Sequence, residues 1–411
     1  MRLYWFPGVL EPLYDGNVPS TAERARATGS AVMVQEVRVI QGEVLGKAAY
    51  PQYLYRDAPR NVYWEMTIAC DLVCKHCRAE AIANRDPMEL TTEEGEALMR
   101  DVKAMGSMLI LTGGDPMKRP DLFALIAYAR EIRLPLSITP STTPSLTRDA
   151  VRRFRRLGVS AVGVSLDGPR PEVHDTFRGV PGTFEYSMKA LQWARECHIP
   201  VQVNTTVTQE TLPHLNALYQ LLREEASPPV RRWSLFLLVP VGRGAILGIP
   251  SAEDVEALFA WVYSISRDAP FHVSTVEAPH YRRYWIQRKL DEGMPLGDIQ
   301  RLGKRMGFGV RDGNGVIFVS HRGELYPAGF LPYPSLGNVR QKPVSETYRN
   351  SPSLMELRDM DRLKGRCGRC EFRWICGGSR ARAYAITGDY LAEEPFCVYQ
   401  PDGEKTPGDQ R

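Results

Sequence analysis

The 411-residue sequence predicts an α/β chain built on a parallel sheet, followed by a smaller cysteine-rich unit at its C-terminal end. Three observations carry this. Apolar strand-like runs alternate with amphipathic helical patterns from about residue 60 to 240, the mark of repeated β-α-β crossovers. Seven of the eight cysteines fall in two tight groups, Cys70, Cys74, Cys77 and Cys367, Cys370, Cys376, Cys397, with Cys197 apart. A hydrophobic fraction of 43% and a charged fraction of 24% are ordinary globular values, so the chain can bury a core and is not disordered as a whole.

Taken in order, residues 1–58 show no clear period and read as an irregular lead-in. Strands are expected at Val62–Ile68, Met108–Thr112, Leu136–Thr139, Ala161–Leu166, Val201–Val207 and Trp233–Val239. Helices are expected between them at Glu93–Met105, Leu122–Ile132, Ala150–Leu157 and Phe184–Cys197, the first with an N-cap at Thr91 or Thr92 and a stop at Gly106. Six strands with helical crossovers imply a sheet wound right-handed, either open or a partial barrel, with its chemistry at the C-terminal strand ends. A helix at about 252–267 follows. Glycine-rich turns at 307–315 then separate short antiparallel strands at Val316–Val319 and Glu324–Tyr326. The organisation read from this is a core at 59–245, a linking and substrate-side segment at 246–315, a C-terminal unit at 316–400 and a polar tail at 401–411.

No stretch approaches the roughly 18 apolar residues of a membrane span. The opening MRLYWFPGVLEPLYDG lacks the basic and apolar regions of a signal peptide, so a cytoplasmic location is expected. A net charge of +4 permits an acidic substrate and does not argue for nucleic acid.

The first cysteine group follows the first strand directly. Cys70, Cys74 and Cys77 can hold three corners of an iron–sulfur cubane and leave one iron open, whereas a structural cluster or zinc site wants four protein ligands. A zinc knuckle completed by His76 is the competing reading. The second group supplies four thiolates, enough to close a cluster with an electron-transfer or structural role, and a zinc ribbon competes there. An iron–sulfur electron carrier without catalysis would also use both groups.

The Cys-x3-Cys-x2-Cys spacing resembles the radical S-adenosylmethionine (SAM) superfamily. The resemblance implies a partial (β/α)6 TIM-like barrel, an open [4Fe–4S] cluster and SAM as cofactors, and reductive cleavage of SAM to a 5′-deoxyadenosyl radical that abstracts hydrogen from a substrate. It also implies a reductant of the flavodoxin or ferredoxin type. Gly113, Gly114 and Asp115 stand where the superfamily has a turn contacting the methionine amino group, with aspartate replacing the commoner glutamate. Ser165, Asp167, Arg178 and Asn204 resemble further cofactor-binding positions. The second group resembles a shortened SPASM/twitch-type domain with one auxiliary [4Fe–4S] cluster, since Ala328 and Arg380 fill positions where the full extension has cysteines of its other cluster.

Within the superfamily, the stretches Tyr63–Ala81, Gly323–Pro332 and Cys376–Asp389 resemble the tetrapyrrole-modifying branch of haem biosynthesis. Peptide maturation is the competing branch. The lead-in is short for a leader-binding domain, which favours a small-molecule substrate. The segment 279–285 offers His280, Arg282 and Arg283 among aromatic rings, chemistry suited to carboxylates and a flat macrocycle, or equally to the polar face of a helix. His280 and His321 are also candidate ligands for a haem iron.

Overall fold

The structure is a computed structural model that describes residues 51–401; most of the lead-in and the polar tail lie outside the described residues. Nine strands form one sheet in the order β7-β6-β5-β4-β3-β2-β1-β8-β9. Strands β1 (Asn61–Glu65), β2 (Met108–Thr112), β3 (Leu136–Ile138), β4 (Val162–Ser165), β5 (Val201–Val207) and β6 (Val230–Leu237) are the six expected, each pairing in parallel with the next. The crossovers are α1 (Thr92–Ala104), α2 (Leu122–Glu131), α3 (Arg148–Arg156), α4 (Pro171–Arg178) with α5 (Thr183–Glu196), and α6 (Leu215–Leu221). Helix α1 starts on a capping box: Thr91 accepts from the Glu94 N–H, and the Glu94 carboxylate accepts from the Thr91 N–H.

Three features go beyond the six-strand reading. After α7 (Ala252–Ile265), a seventh parallel strand, β7 (His272–Val276), adds to β6. Two helices follow, α8 (Tyr281–Asp291) and α9 (Leu296–Arg305). Strand β8 (Val316–Val319) then pairs in parallel with β1 on the side away from β2, and β9 (Leu325–Tyr326) pairs antiparallel to β8 as expected. The segment expected to open the C-terminal unit therefore extends the main sheet. The chain continues through α10 (Val344–Asn350), α11 (Pro352–Arg358), α12 (Gly365–Arg369) and α13 (Arg380–Thr387).

The two faces of the sheet differ. Val62, Trp64, Val201, Val203, Trp233 and Leu235 point outward beneath the helices and are fully buried. The alternate residues Asn61, Tyr63, Gln202, Asn204, Arg232 and Ser234 line an internal cavity of ≈ 1430 Å³. Parallel strands usually bury apolar residues on both faces. Here the period of two places polar groups on the concave side, and the result is a lumen rather than a filled core.

Candidate active site

The three-cysteine loop leaves the C-terminal end of β1. It is closed by a parallel bridge between Ala69 and Ile82, with Cys70 N–H donating to the Ile82 carbonyl at 2.7 Å. Cys70, Leu72, Cys74 and Ala81 pack together inside it. Each thiol has a hydrogen-bond donor: Leu72 N–H lies 3.4 Å from Cys70 Sγ, Ala81 N–H lies 3.4 Å from Cys77 Sγ, and Arg178 Nη1 lies 3.7 Å from Cys74 Sγ; the Ser141 hydroxyl also touches Cys70 Sγ, at 3.4 Å. The turn after β6 straps the loop from outside. Arg243 donates from Nε to the Cys74 carbonyl and from Nη1 to the Ala81 carbonyl, each at 3.0 Å, and its N–H donates to the Cys77 carbonyl.

Gly113 and Gly114 end β2 against the root of this loop. Gly114 N–H donates to the Thr67 carbonyl at 2.8 Å, and a Cβ on Gly114 would lie 2.4 Å from the Ala69 carbonyl oxygen. Both glycines line the cavity. Asp115 turns away from it and is buried, accepting from Met117 N–H, Ser141 N–H and Thr143 Oγ1. Burial pushes its carboxyl up to about 6 against those hydrogen bonds. Its place is that of a cap on the turn, and Ser141 is the residue that links this turn to the cysteines, since its Oγ also donates to the Gly114 carbonyl at 3.0 Å.

Ser165 and Asn204 are register partners on β4 and β5, and both line the cavity. Arg178, at the end of α4, reaches the same cavity. Asp167 supports it from behind: it is buried, pairs with the Arg178 guanidinium at 2.6 Å and accepts from Thr206 N–H at 2.7 Å. Burial acts to raise the Asp167 carboxyl, but Arg178, helped by His76 and His174, holds it below its ordinary value. Of the seven expected cofactor positions, Gly113, Gly114, Ser165, Arg178 and Asn204 converge on the cavity; Asp115 and Asp167 hold others in place.

The second cysteine group lies around a smaller cavity lined by all four thiols. Each again meets a backbone N–H: Glu394 for Cys367, Phe372 for Cys370, Gly378 for Cys376 and Tyr399 for Cys397. Burial pushes the Cys376 thiol up to about 12, an environment that disfavours a bare thiolate and that a bound cation would offset. The C-terminal segment is tied to the barrel by Arg382, which is fully buried. It forms a pair with Glu394 at 3.0 Å and donates to the Leu238 and Glu277 carbonyls at 3.2 and 2.6 Å.

The three expected substrate residues do not act together. His280 and Arg283 face the second cysteine cavity, not the lumen. Arg283 spends its fork on Glu256, at 2.6 and 2.5 Å, which removes it as a free carboxylate clamp. His280 is buried against Phe259, and its ring is held near pKa 4, chiefly by burial. Arg282 alone lines the lumen. His321 is not a free ligand either, because its Nδ1 lies 2.8 Å from Glu65 and its Nε2 3.4 Å from Asp86.

Comparison with known proteins places this geometry. Residues 64–222 match the model of the Radical SAM superfamily. An AdoMet-dependent heme synthase of Oleidesulfovibrio alaskensis is 39% identical over 361 residues, covering 87% of this chain and 92% of that one. The chain belongs to the radical SAM superfamily. An AdoMet-dependent heme synthase of Methanosarcina barkeri is 37% identical, covering 84% of this chain and 98% of its own. The fold matches the crystal structure of Streptococcus suis SuiB bound to S-adenosylmethionine, with a TM-score of 0.65 at 18% identity, over 92% of this chain and 86% of that one.

Radical SAM enzymes use a [4Fe–4S] cluster and SAM, so this chain is an enzyme and not the bare electron carrier that two cysteine groups alone would also allow. The residues present fit both groups. Three thiols, two buried and one half-buried, each met by a donor, leave one cluster corner without a protein ligand, and hydrogen bonds to sulfur are how a protein tunes such a cluster. The paired glycines offer the close backbone approach that a bound cofactor requires. The turn Val239–Gly244 resembles a cofactor-binding edge in sequence, but the role of its Arg243, like that of Ser141 after β3, is set by contacts more than 70 positions away along the chain. Among the described residues no helix is long and apolar enough to cross a membrane.

Proposed function

We propose that this radical SAM enzyme acts on a carboxylated tetrapyrrole, removing hydrogen beside a propionate so that the side chain is trimmed with loss of carbon dioxide. The observation that carries the reading is the lumen. At ≈ 1430 Å³ it exceeds the roughly 300–1,000 Å³ of common small-molecule pockets. Nine arginine or lysine residues line it against two carboxylates, Glu277 and Asp312, a balance suited to a large polyanion. Aromatic surface is present too: Phe318 and Phe330 line the wall, with the Arg78 guanidinium 4.4 Å over the Phe318 ring. The similarity to two heme synthases supports the same class of substrate.

When bound, the open cluster at Cys70, Cys74 and Cys77 and its SAM supply the radical chemistry. Gly113, Gly114, Ser165, Arg178 and Asn204 hold and orient the cofactor, and Asp167 fixes the Arg178 fork. Loss of one hydrogen atom from the carbon next to the CH2–COO⁻ group, then of carbon dioxide, leaves a vinyl group and one electron. An acceptor is therefore required, and the four-cysteine site lies beyond the wall formed by residues 376–379. That site, in the C-terminal segment after the last strand of the main sheet, would hold an auxiliary [4Fe–4S] cluster. A reductant of the flavodoxin or ferredoxin type in the cytoplasm would supply the electron that starts each turnover.

The test is to add an iron porphyrin bearing propionates to the anaerobic, reduced protein and follow deoxyadenosine, carbon dioxide and porphyrin mass together. The expected result is stoichiometric formation of all three products. The Cys70→Ala/Cys74→Ala/Cys77→Ala protein should lose about four irons and form none. A porphyrin that neither binds at micromolar concentration nor stimulates cleavage would overturn the reading and favour a ribosomally made peptide.

A further inference from the structure

The first turn of α8 separates two cavities. His280 and Arg283 line the four-cysteine cavity, while Arg282, between them, lines the lumen. Gly378 belongs to both walls, so the partition there is one residue thick. Arg282 is anchored to the partition itself: its Nη1 donates to the carbonyl of Ile375, the residue before Cys376, at 2.8 Å, and its Nη2 donates to the carbonyl of Val310, which lines the lumen. It keeps intermediate exposure although it sits deep in the protein, so its open surface faces the lumen.

Charge distinguishes it from its neighbours. Arg178 has Asp167, Arg283 has Glu256 and Arg382 has Glu394. No carboxylate pairs with Arg282 among the described residues; its two acceptors are neutral carbonyls. A buried guanidinium without a counter-ion is costly unless something supplies one. On one side stands Cys376, which would present negative charge with the proposed cluster bound. On the other, the lumen is open to a substrate carboxylate in bidentate geometry.

We propose that Arg282 takes a carboxylate of the substrate and thereby couples occupancy of the lumen to the redox state of the C-terminal cluster. The inference rests on the function proposed above, with its auxiliary cluster and carboxylated macrocycle. Binding of an anion at Arg282 neutralises a positive charge close to Cys376, which favours the more positive, oxidised cluster and lowers its midpoint potential. Linkage requires the reverse effect by the same factor: the oxidised cluster binds the carboxylate more tightly than the reduced one. A substrate would thus be held while the cluster can accept an electron and loosened once it has done so.

The test uses the full chain with Cys70, Cys74 and Cys77 replaced by Ala, reconstituted anaerobically so that only the C-terminal cluster remains. The probe is a zinc porphyrin bearing propionates, which leaves the cluster as the only redox centre, with its propionate methyl esters as control. The midpoint potential is read by a titration followed by electron paramagnetic resonance. The acid should lower the potential and bind the oxidised protein at least about 5-fold more tightly than the reduced protein. The ester should do neither. Arg282→Gln should abolish the shift, Arg282→Lys should retain part of it, and Arg283→Gln should retain it in full. A shift that persists in Arg282→Gln, or an unmoved potential with the acid bound, overturns the coupling alone. Failure of the acid to bind, or a site with zinc and no sulfide, overturns the proposed substrate or cluster and the coupling with it.

Discussion

Gly114→Ala isolates the close approach between the β2 turn and the cysteine loop. Gly114 is not among the positive-φ residues, so alanine meets no conformational barrier. The added Cβ would lie 2.4 Å from the Ala69 carbonyl oxygen and 2.6 Å from that of Ile68, where real Cβ contacts stay above 3.0 Å. Both neighbours are backbone atoms just before Cys70, so turn and loop must part by at least about 0.6 Å. That strains the bonds from Gly114 N–H to Thr67 and from Asp115 N–H to Ala69, now 2.8 and 2.7 Å. Overpacking of this kind costs about 1–3 kcal/mol in stability. Misplacement approaching 1 Å costs on the order of 100-fold in rate. The expected outcome is near-normal iron content with deoxyadenosine formation down about 10- to 100-fold. Gly158→Ala is the control: φ is +80° with nothing within 4 Å of its Cβ, so it should lose about 1–2 kcal/mol in stability and no activity. Wild-type turnover in Gly114→Ala, or equal loss in Gly158→Ala, would refute the reasoning.

Two further outcomes follow from the same structure. With the first cysteine group replaced by alanine, anaerobic reconstitution should still yield about four irons with sulfide and a broad charge-transfer band; zinc without sulfide would assign a zinc ribbon to the second group. Glu394→Gln should destabilise the loaded protein by about 3–5 kcal/mol in anaerobic urea unfolding, because it strands the buried Arg382 guanidinium. Burial acts to raise Glu394, but Arg382, His280 and the Ser379 N–H hold it below 4.5. The contribution is therefore complete above the unfolded pKa and fades only as pH falls through the lower folded value. The gap between wild type and variant should be equal at pH 7 and pH 5.5 and narrow only below about 4.3. A gap that closes between pH 7 and 5.5 would show that another group sets it.

The strands and the first cysteine loop were legible because their signals are local. Met108–Thr112 and Val201–Val207 match their expected bounds, and the other four core strands differ by up to three residues at an end. Strand β7 escaped because its sequence, HVSTV, carries polar residues where the lumen requires them, which weakens the apolar pattern that marks a strand. The parallel pairing of β8 with β1 joins residues about 255 positions apart, and no local pattern reports such a partner. Asp115 and Asp167, expected among the cofactor positions, do not line the cavity, and their supporting place is visible only from the partners that claim them, Ser141 and Thr143 for one and Arg178 for the other. For His280, Arg282 and Arg283 the ambiguity lay in the helix itself: consecutive positions point about 100° apart, so one short motif was bound to serve more than one surface.

That division has a consequence for how a substrate lies in the lumen. Arg178 faces the cavity beside Cys74 with its charge already met by Asp167, and it therefore attracts a further anion only weakly. Arg282 faces it from the wall near Cys376 with no carboxylate of its own among the described residues. On the function proposed above, a substrate carboxylate held by Arg282 would turn the rest of the ring toward the glycine turn and the open-cluster loop. The asymmetry of the two arginines would then set an orientation before any contact specific to the reacting carbon is made. Exchanging their environments tests it: Asp167→Asn, by unmasking Arg178, should create a competing carboxylate site at the cofactor end. Porphyrin binding measured by direct titration should strengthen or stay unchanged while deoxyadenosine formation falls, whereas Arg282→Gln should weaken binding itself. The opposite pattern, binding lost in Asp167→Asn and retained in Arg282→Gln, would place the carboxylate at the cofactor end and reverse the orientation.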